Sequence, residues 1–407
     1  MSQPSFGKNA LLILTAESTA AARTVMNEIE RLGGRIVHVY PPRILIGDVP
    51  PEIESQVRAL ANVRTLYRGR VDLSEVEALG PDAVRAVRGW NRGFAASFRA
   101  LKSGRTKEGK SWGAPGYAPE GPVQPPKSAL AEEEESDSSP PFPDRVAPAP
   151  DTSPYLVGTV AVSIIMVQGQ APPYTFSQME YDTVVAEIQD GLGWLGSVEP
   201  KATVSWFYEF RQVTLDLDPA LTPDFSEDTW RDAAMTKLGY PASWSGLKKL
   251  VRDRRTAHGT DWTFAIFVTR FPLWHFAYAF KPRVVMNYDL DGWGVDDMDH
   301  VTAHETGHIF GAADEYAESK CDCSERFGHL QVENGNCELC APNHVACLMS
   351  RNTWALCDYT RGQLGWRDSV GDGVLDPVRP PVELRRPWWL ELLELLRRWL
   401  GLTARYR

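Results

Sequence analysis

The sequence predicts an α+β protein, and three observations carry that prediction. Short apolar runs rich in Val, Ile, Leu and aromatic residues alternate with amphipathic stretches at helical spacing over residues 8–100, and again from 155 to about 310. A polar stretch rich in Pro, Glu and Ser separates the two regions. All six cysteines fall between Cys321 and Cys357, in loop-like sequence. With 407 residues, 43% of them hydrophobic and 14 of them Trp, the chain can fill the cores of two or three domains.

In the first region, 10–15 reads as a strand and 21–32 as a helix ended by Gly33 and Gly34. Residues 35–40 read as a second strand, 43–46 as a third after Pro41 and Pro42, 51–60 as a helix and 63–70 as a fourth strand. This βαββαβ order is that of a ferredoxin-like domain over 1–100, and the pattern resembles the propeptide and inhibitor domains found ahead of subtilisin-type proteases. That resemblance implies a prodomain; a generic interaction module of the same fold is the alternative. Residues 101–154 hold too little apolar surface to offset chain entropy, so a disordered linker is expected there, serving as a site of proteolytic activation or as a spacer.

The second domain, 155–376, opens with a strand-like run over 156–167 and a helix from Gln178 toward Leu195. Strand character returns over 202–217, helices flank Gly239-Tyr240-Pro241, and apolar runs follow over 262–269, 274–280 and 284–286. The next helix carries the chemistry. His304 and His308 lie one helical turn apart, so both imidazoles project from one face, while Glu305 is one step round. Gly311 lets the chain leave the helix and Asp314 can return as a third ligand, with Glu315 as its rival. Two His and a carboxylate leave one tetrahedral corner for water, the open arrangement of hydrolytic zinc.

The run His304-Glu305-Thr306-Gly307-His308-Ile309-Phe310-Gly311-Ala312-Ala313-Asp314 resembles the metzincin clan of zinc peptidases, whose snapalysin-like branch has Asp at the last place. Residues 313–316, ending in Tyr316, resemble the bacterial IgA-peptidase-like group. The resemblance covers 155–366 in organisation, but its specific letters are confined to 304–316 and 347–350. It implies a metzincin-like catalytic domain, a twisted mixed sheet plus a metal-binding helix, with Met349 in a methionine-containing turn beneath the metal. It also implies a peptide substrate paired with the sheet's edge strand, for which 274–280 is the choice. The reaction expected is endopeptidase hydrolysis by a metal-activated water with Glu305 as general base, the protein being made as a latent precursor. Tyr316 and Tyr359 are candidate donors to an oxyanion, with a buried structural role as the favoured alternative, and His275 is read as a surface or packing residue rather than a ligand. A cysteine switch is excluded because no Cys precedes Cys321, and Asp48 reads as a turn residue rather than an aspartate switch.

A two-His-one-carboxylate non-haem iron oxygenase has the same ligands, but Glu305 would have no task in it. A non-catalytic extracellular interaction protein with a degenerate site is disfavoured by the intact motif. Calcium is a second candidate cofactor, at Asp368, Asp372 and Asp376, where Val370 replaces an expected carboxylate, and at Asp289 and Asp291. Asp296, Asp297 and Asp299 suit the cap and first turn of the metal helix.

A net charge of −10 without a basic stripe argues against nucleic acid as a partner, and no apolar run is long enough for a transmembrane span. No signal peptide is recognisable, whereas clustered cysteines favour an extracytoplasmic site. Up to three disulfides are expected, with a Cys-bound structural zinc as the alternative. The tail, 377–407, contains an amphipathic helix over 387–400 whose wide apolar face calls for a cover: the protein itself, a partner or a membrane surface.

Overall fold

Strand β5 (Thr159–Gln168) is buried along nearly its whole length, the signature of a strand covered on both faces. In the computed structural model, which describes residues 8–115, 152–222 and 225–379, β5 lies between two parallel neighbours, β6 (Ser205–Thr214) and β7 (Trp262–Thr269). β9 (Arg283–Asn287) continues the sheet parallel to β7, and β8 (Ala277–Phe280) closes it as an antiparallel terminal strand. The choice of 274–280 as edge strand therefore holds among the described residues.

The N-terminal strands β1 (Ala10–Leu14), β2 (Arg35–Tyr40), β3 (Ile44–Asp48) and β4 (Val63–Tyr67) pair antiparallel in the order β4-β1-β3-β2. They do not form a sheet of their own. β2 pairs in parallel with β6 through His38 with Trp206 and Val39 with Phe207, which fuses both regions into one nine-stranded mixed sheet. The chain is thus mixed α/β around a single large sheet.

Helices cover both faces. α1 (Thr19–Arg31) and α2 (Glu54–Arg58) pack on one face of the N-terminal strands through Val25, Ile29 and Val57. The opposite face receives α3 (Pro81–Gly93) and α5 (Gln178–Ser197), with α4 (Ala96–Ser103) following against α3. α5 starts at a capping box between Ser177 and Glu180 and is buried nearly all round. Beyond it on that face lies α8 (Met298–Ile309), the metal-motif helix. α6 (Glu227–Lys237) and α7 (Trp244–His258) cover β5 and β7 on the other side, and a short α9 (Asp358–Gln363) follows the cysteine-rich loops.

The linker expected from residue 101 begins differently. Lys102 is buried and pairs with Glu187 of α5 and, at 2.9 Å, with Asp299 of α8. Arg105 bonds the carboxylate of Asp299 and, through Nε, the carbonyl of Asp296 at 2.7 Å. Its charge also lies 3.8 Å from Asp297. Burial alone would raise the pKa of Asp299, but Lys102 and Arg105 outweigh it and hold that carboxyl well below its usual range. Basic residues that read as solvated are thus the counterions of acidic residues opening α8. The rest of the expected linker, 116–151, and the amphipathic helix over 387–400 lie outside the described residues.

Two disulfides join Cys321 to Cys337 and Cys323 to Cys340, while Cys347 and Cys357 are buried thiols, so one of the three expected cross-links is not formed. Among the described residues no helix is long and apolar enough to cross a membrane.

Two outcomes follow. Lys102→Ala leaves Glu187 and Asp299 short of a buried counterion and should cost roughly 3–5 kcal/mol in denaturant unfolding; a loss within about 0.5 kcal/mol, as for an ordinary surface residue, would return residue 102 to a loose linker. Alkylation of the unfolded, unreduced chain should label Cys347 and Cys357 and leave the other four cysteines unlabelled by mass spectrometry.

Candidate metal centre

α8 is buried over most of its length, and its last turn ends where glycine is required. Gly311 has φ +93°, and a Cβ there would stand 2.8 Å from Gly328 Cα. Gly311 N–H donates to His308 O and Ala312 N–H to Gly307 O, which close the helix and reverse the chain. The returning segment is pinned by Ala313 N–H to Gln363 Oε1 (3.0 Å), Asn334 Nδ2 to Asp314 O (2.8 Å) and Glu315 N–H to Met349 O (2.9 Å).

This turn brings the three expected ligands together. His304 Nε2 and His308 Nε2 are 3.1 Å apart, and Asp314 Oδ1 lies 3.3 and 3.2 Å from them. Donors about 2.0–2.1 Å from a tetrahedral zinc ion are separated by about 3.3–3.4 Å, so the triangle fits that ion. The far side of each ring agrees: His304 Nδ1 faces Leu348 O at 3.1 Å and His308 Nδ1 faces Ala312 O at 2.9 Å. Carbonyls accept only N–H, so each Nδ1 carries a proton and each Nε2 faces inward as the atom that could bind a metal when unprotonated. Asp314 Oδ1 is buried with no hydrogen-bond donor of its own.

Neighbouring charges shift the protonation of His308, Asp314 and Glu305. Burial works to lower the His308 pKa, yet the Asp314 carboxylate, together with Glu305 and the Ala312 carbonyl, overrides it and pushes the imidazole up to about 9. Burial would likewise raise Asp314, but His308 and His304 hold it well below the carboxylate range. Glu305 shifts the other way: its buried carboxyl is raised, with the two histidines only partly opposing that. Its Oε2 has no hydrogen-bond partner.

Glu305 opens into a cleft of about 430 Å³ that also exposes His304, His308 and Asp314 to substrate-sized molecules. One wall is the terminal strand, with Ala277, Tyr278 and Ala279; Tyr316 and Trp112 stand on the others. Tyr316 is kept protonated by burial, which raises its pKa. His275 also lines the cleft, with Nδ1 2.6 Å from Ala277 O, and is not part of the donor triangle.

Met349 is buried under α8, and a Cβ on Gly307 would lie 3.0 Å from its Sδ, so the glycine lets the thioether approach the helix closely. The turn holding Met349 closes through Ser350 N–H to Cys347 O. Leu348 N–H bonds Ala355 O at 2.7 Å, and Leu348 supplies the carbonyl behind His304.

Other candidates fall elsewhere. Glu315 is buried away from the triangle and bonds Asn336 (2.6 Å), Thr360 (2.8 Å) and Cys357 (2.9 Å). Tyr359 is 41% exposed and does not line the cleft. Asp297 sits at the cap of α8 but accepts from Asn352 Nδ2 at 2.9 Å instead of from a helix amide. Asp48 bonds Asn9 at the end of β3. The loop of Asp368, Asp372 and Asp376 is balanced internally. Arg379 lies 2.7 Å from Asp372 and 3.4 Å from Asp368, Lys201 is 3.1 Å from Asp368, and the Gly371 and Gly373 amides donate to Asp368. Asp289 pairs with Arg270 at 3.4 Å. Trp112 was missed as a site residue, although a lone large aromatic in a Gly-, Lys- and Ser-rich stretch was a signal.

No protein-family model matches this chain, and no curated protein matches it.

The histidine electrostatics give a signed expectation. A ligating nitrogen must be unprotonated, and in the metal-free protein His308 carries its extra proton below about pH 9. Zinc affinity, measured by chelator competition, should therefore rise about tenfold per pH unit through neutrality and level off near pH 9. An affinity independent of pH from 6 to 8 would exclude His308 as a ligand.

Proposed function

We propose that this protein is a zinc-dependent endopeptidase of metzincin type. The single observation that carries the proposal is the donor triangle with edges of 3.1, 3.2 and 3.3 Å, its ring protons committed to carbonyls on the far side. Further support comes from the buried methionine under the metal helix and from a mixed sheet whose terminal strand borders the cleft. The β4-β1-β3-β2 order with α1 and α2 on one face supports a ferredoxin-like reading of the N-terminal region. Two disulfides support an oxidising, extracytoplasmic location.

A zinc ion held by His304, His308 and Asp314 would acidify a bound water and polarise the scissile carbonyl. The chain's own residues do the rest. Glu305 lies in the cleft with a carboxyl whose pKa is raised by burial, which suits a group that accepts a proton from the attacking water and returns it to the leaving amine. Tyr316, kept protonated, supplies an O–H for the oxygen that becomes negative as the carbonyl is attacked. β8 offers backbone N–H and C=O groups to an extended peptide, which would add as a further strand across the metal centre.

The deciding comparison is wild type against Glu305→Gln on a denatured protein mixture, with metal content measured in both. Cleavage should fall by at least about a hundredfold while zinc is retained. Equal cleavage by both proteins would remove Glu305 from the mechanism, and iron in place of zinc with oxygen consumption would replace the peptidase reading by an oxygenase.

A further inference from the structure

The segment leading out of α4 does not end at the buried ion pairs of Lys102 and Arg105. It continues alongside the methionine turn through backbone hydrogen bonds and one isolated β-bridge. Gly109 N–H donates to Asn352 O at 2.6 Å, Asn352 N–H donates to Lys110 O at 2.8 Å, and Trp112 N–H reaches Ser350 O at 3.3 Å. Ser111 and Arg351 form an antiparallel bridge between them. This pairing carries Trp112 to the metal centre, where the indole is buried with its ring centroid 5.0 Å from that of His304 and 4.7 Å from that of Trp293.

The indole Nε1–H donates to Leu348 O at 2.6 Å, and the same oxygen receives His304 Nδ1–H at 3.1 Å. A carbonyl oxygen has two lone pairs, so the two donors do not compete. One fixes the carbonyl; the other is fixed by it. The orientation of His304 therefore depends on a residue far upstream in the chain, outside the metal motif.

We propose that Trp112 is a positioning residue of the metal centre, its indole N–H holding the Leu348 carbonyl that orients His304, so that the N-terminal region completes the site rather than merely covering it. This rests on the zinc reading above. The bond from His304 Nδ1–H to the Leu348 carbonyl, which Trp112 holds in place, is of the outer-sphere kind that orients a ligand, and loss of such a bond typically weakens metal binding by about ten- to a hundredfold.

The test uses the full chain and zinc or cobalt(II) alone. Trp112→Phe keeps an aromatic ring against His304 and removes the N–H together with part of the indole ring, a truncation for which a second Trp→Phe variant controls. Trp90→Phe removes an equivalent indole bond, to Gly69 O at 2.7 Å, remote from the metal. Zinc affinity by chelator competition should weaken about tenfold or more in Trp112→Phe and stay at the wild-type value in Trp90→Phe. The visible absorption of the cobalt form should change in the first variant alone. Unchanged zinc affinity in Trp112→Phe overturns the proposal, as does an equal loss in both variants, which would mark a general effect of stability. A wild-type chain that takes up no zinc overturns the metal reading and this inference with it.

Discussion

Two imidazole Nε2 atoms, 3.1 Å apart and facing a carboxylate oxygen, constitute the constraint on which the rest of this structure depends. Left to itself such a group would relax, because crowding polar groups together away from water is costly. What prevents relaxation is backbone. The carbonyls of Leu348 and Ala312 fix the rings from behind, while the amide bonds of Ala313 and Glu315 and the Asn334 bond to Asp314 O fix the returning loop. Preorganisation of this type puts the cost of assembling the donors on folding instead of on ion binding.

That backbone frame is itself held by glycines and by one thioether. Gly311 permits the reversal that returns Asp314, and Gly307 permits Met349 to lie against the helix. Met349 then fixes the height of its own turn, and the turn presents Leu348 O to His304. A methionine suits this place because its flexible, polarisable chain fills the gap under a helix without bringing another hydrogen-bonding group near the ligands.

The motif was legible in the sequence because its geometry is local: helical spacing sets His304, Glu305 and His308, and a glycine followed by an aspartate sets the return. Strand and helix positions in both regions were legible for the same reason, through periodicity; β2 and β7 occupy the expected residues. What was not legible depends on contacts between residues far apart in the chain. Periodicity within β2 and β6 cannot say that Val39 pairs with Phe207, so two domains were expected where one sheet runs through. Lys102 and Arg105 carry no sign that their counterions are Glu187 and Asp299. The aspartates at 368, 372 and 376 read as a cation loop, and the pairing of Arg379 with them lies outside the spacing that defines such loops.

These long-range contacts also bear on what the N-terminal region does. A removable inhibitor meets its enzyme across a surface that is stable when exposed. Here the junction is a sheet interior: Val37 and Val39 of β2 are fully buried next to β6, and α3 packs on α5 closely enough that a Cβ on Gly89 would stand 2.5 Å from Val185. Separation would expose this apolar surface at about 25 cal/mol per Å². It would also strand Glu187 and Asp299 without Lys102 and Arg105 at the start of the metal helix. The second cost falls at Asp299 in the first turn of α8, the helix that carries His304 and His308. The physical expectation is an N-terminal region that stays in place, folded into one unit with the helix that carries the candidate metal centre.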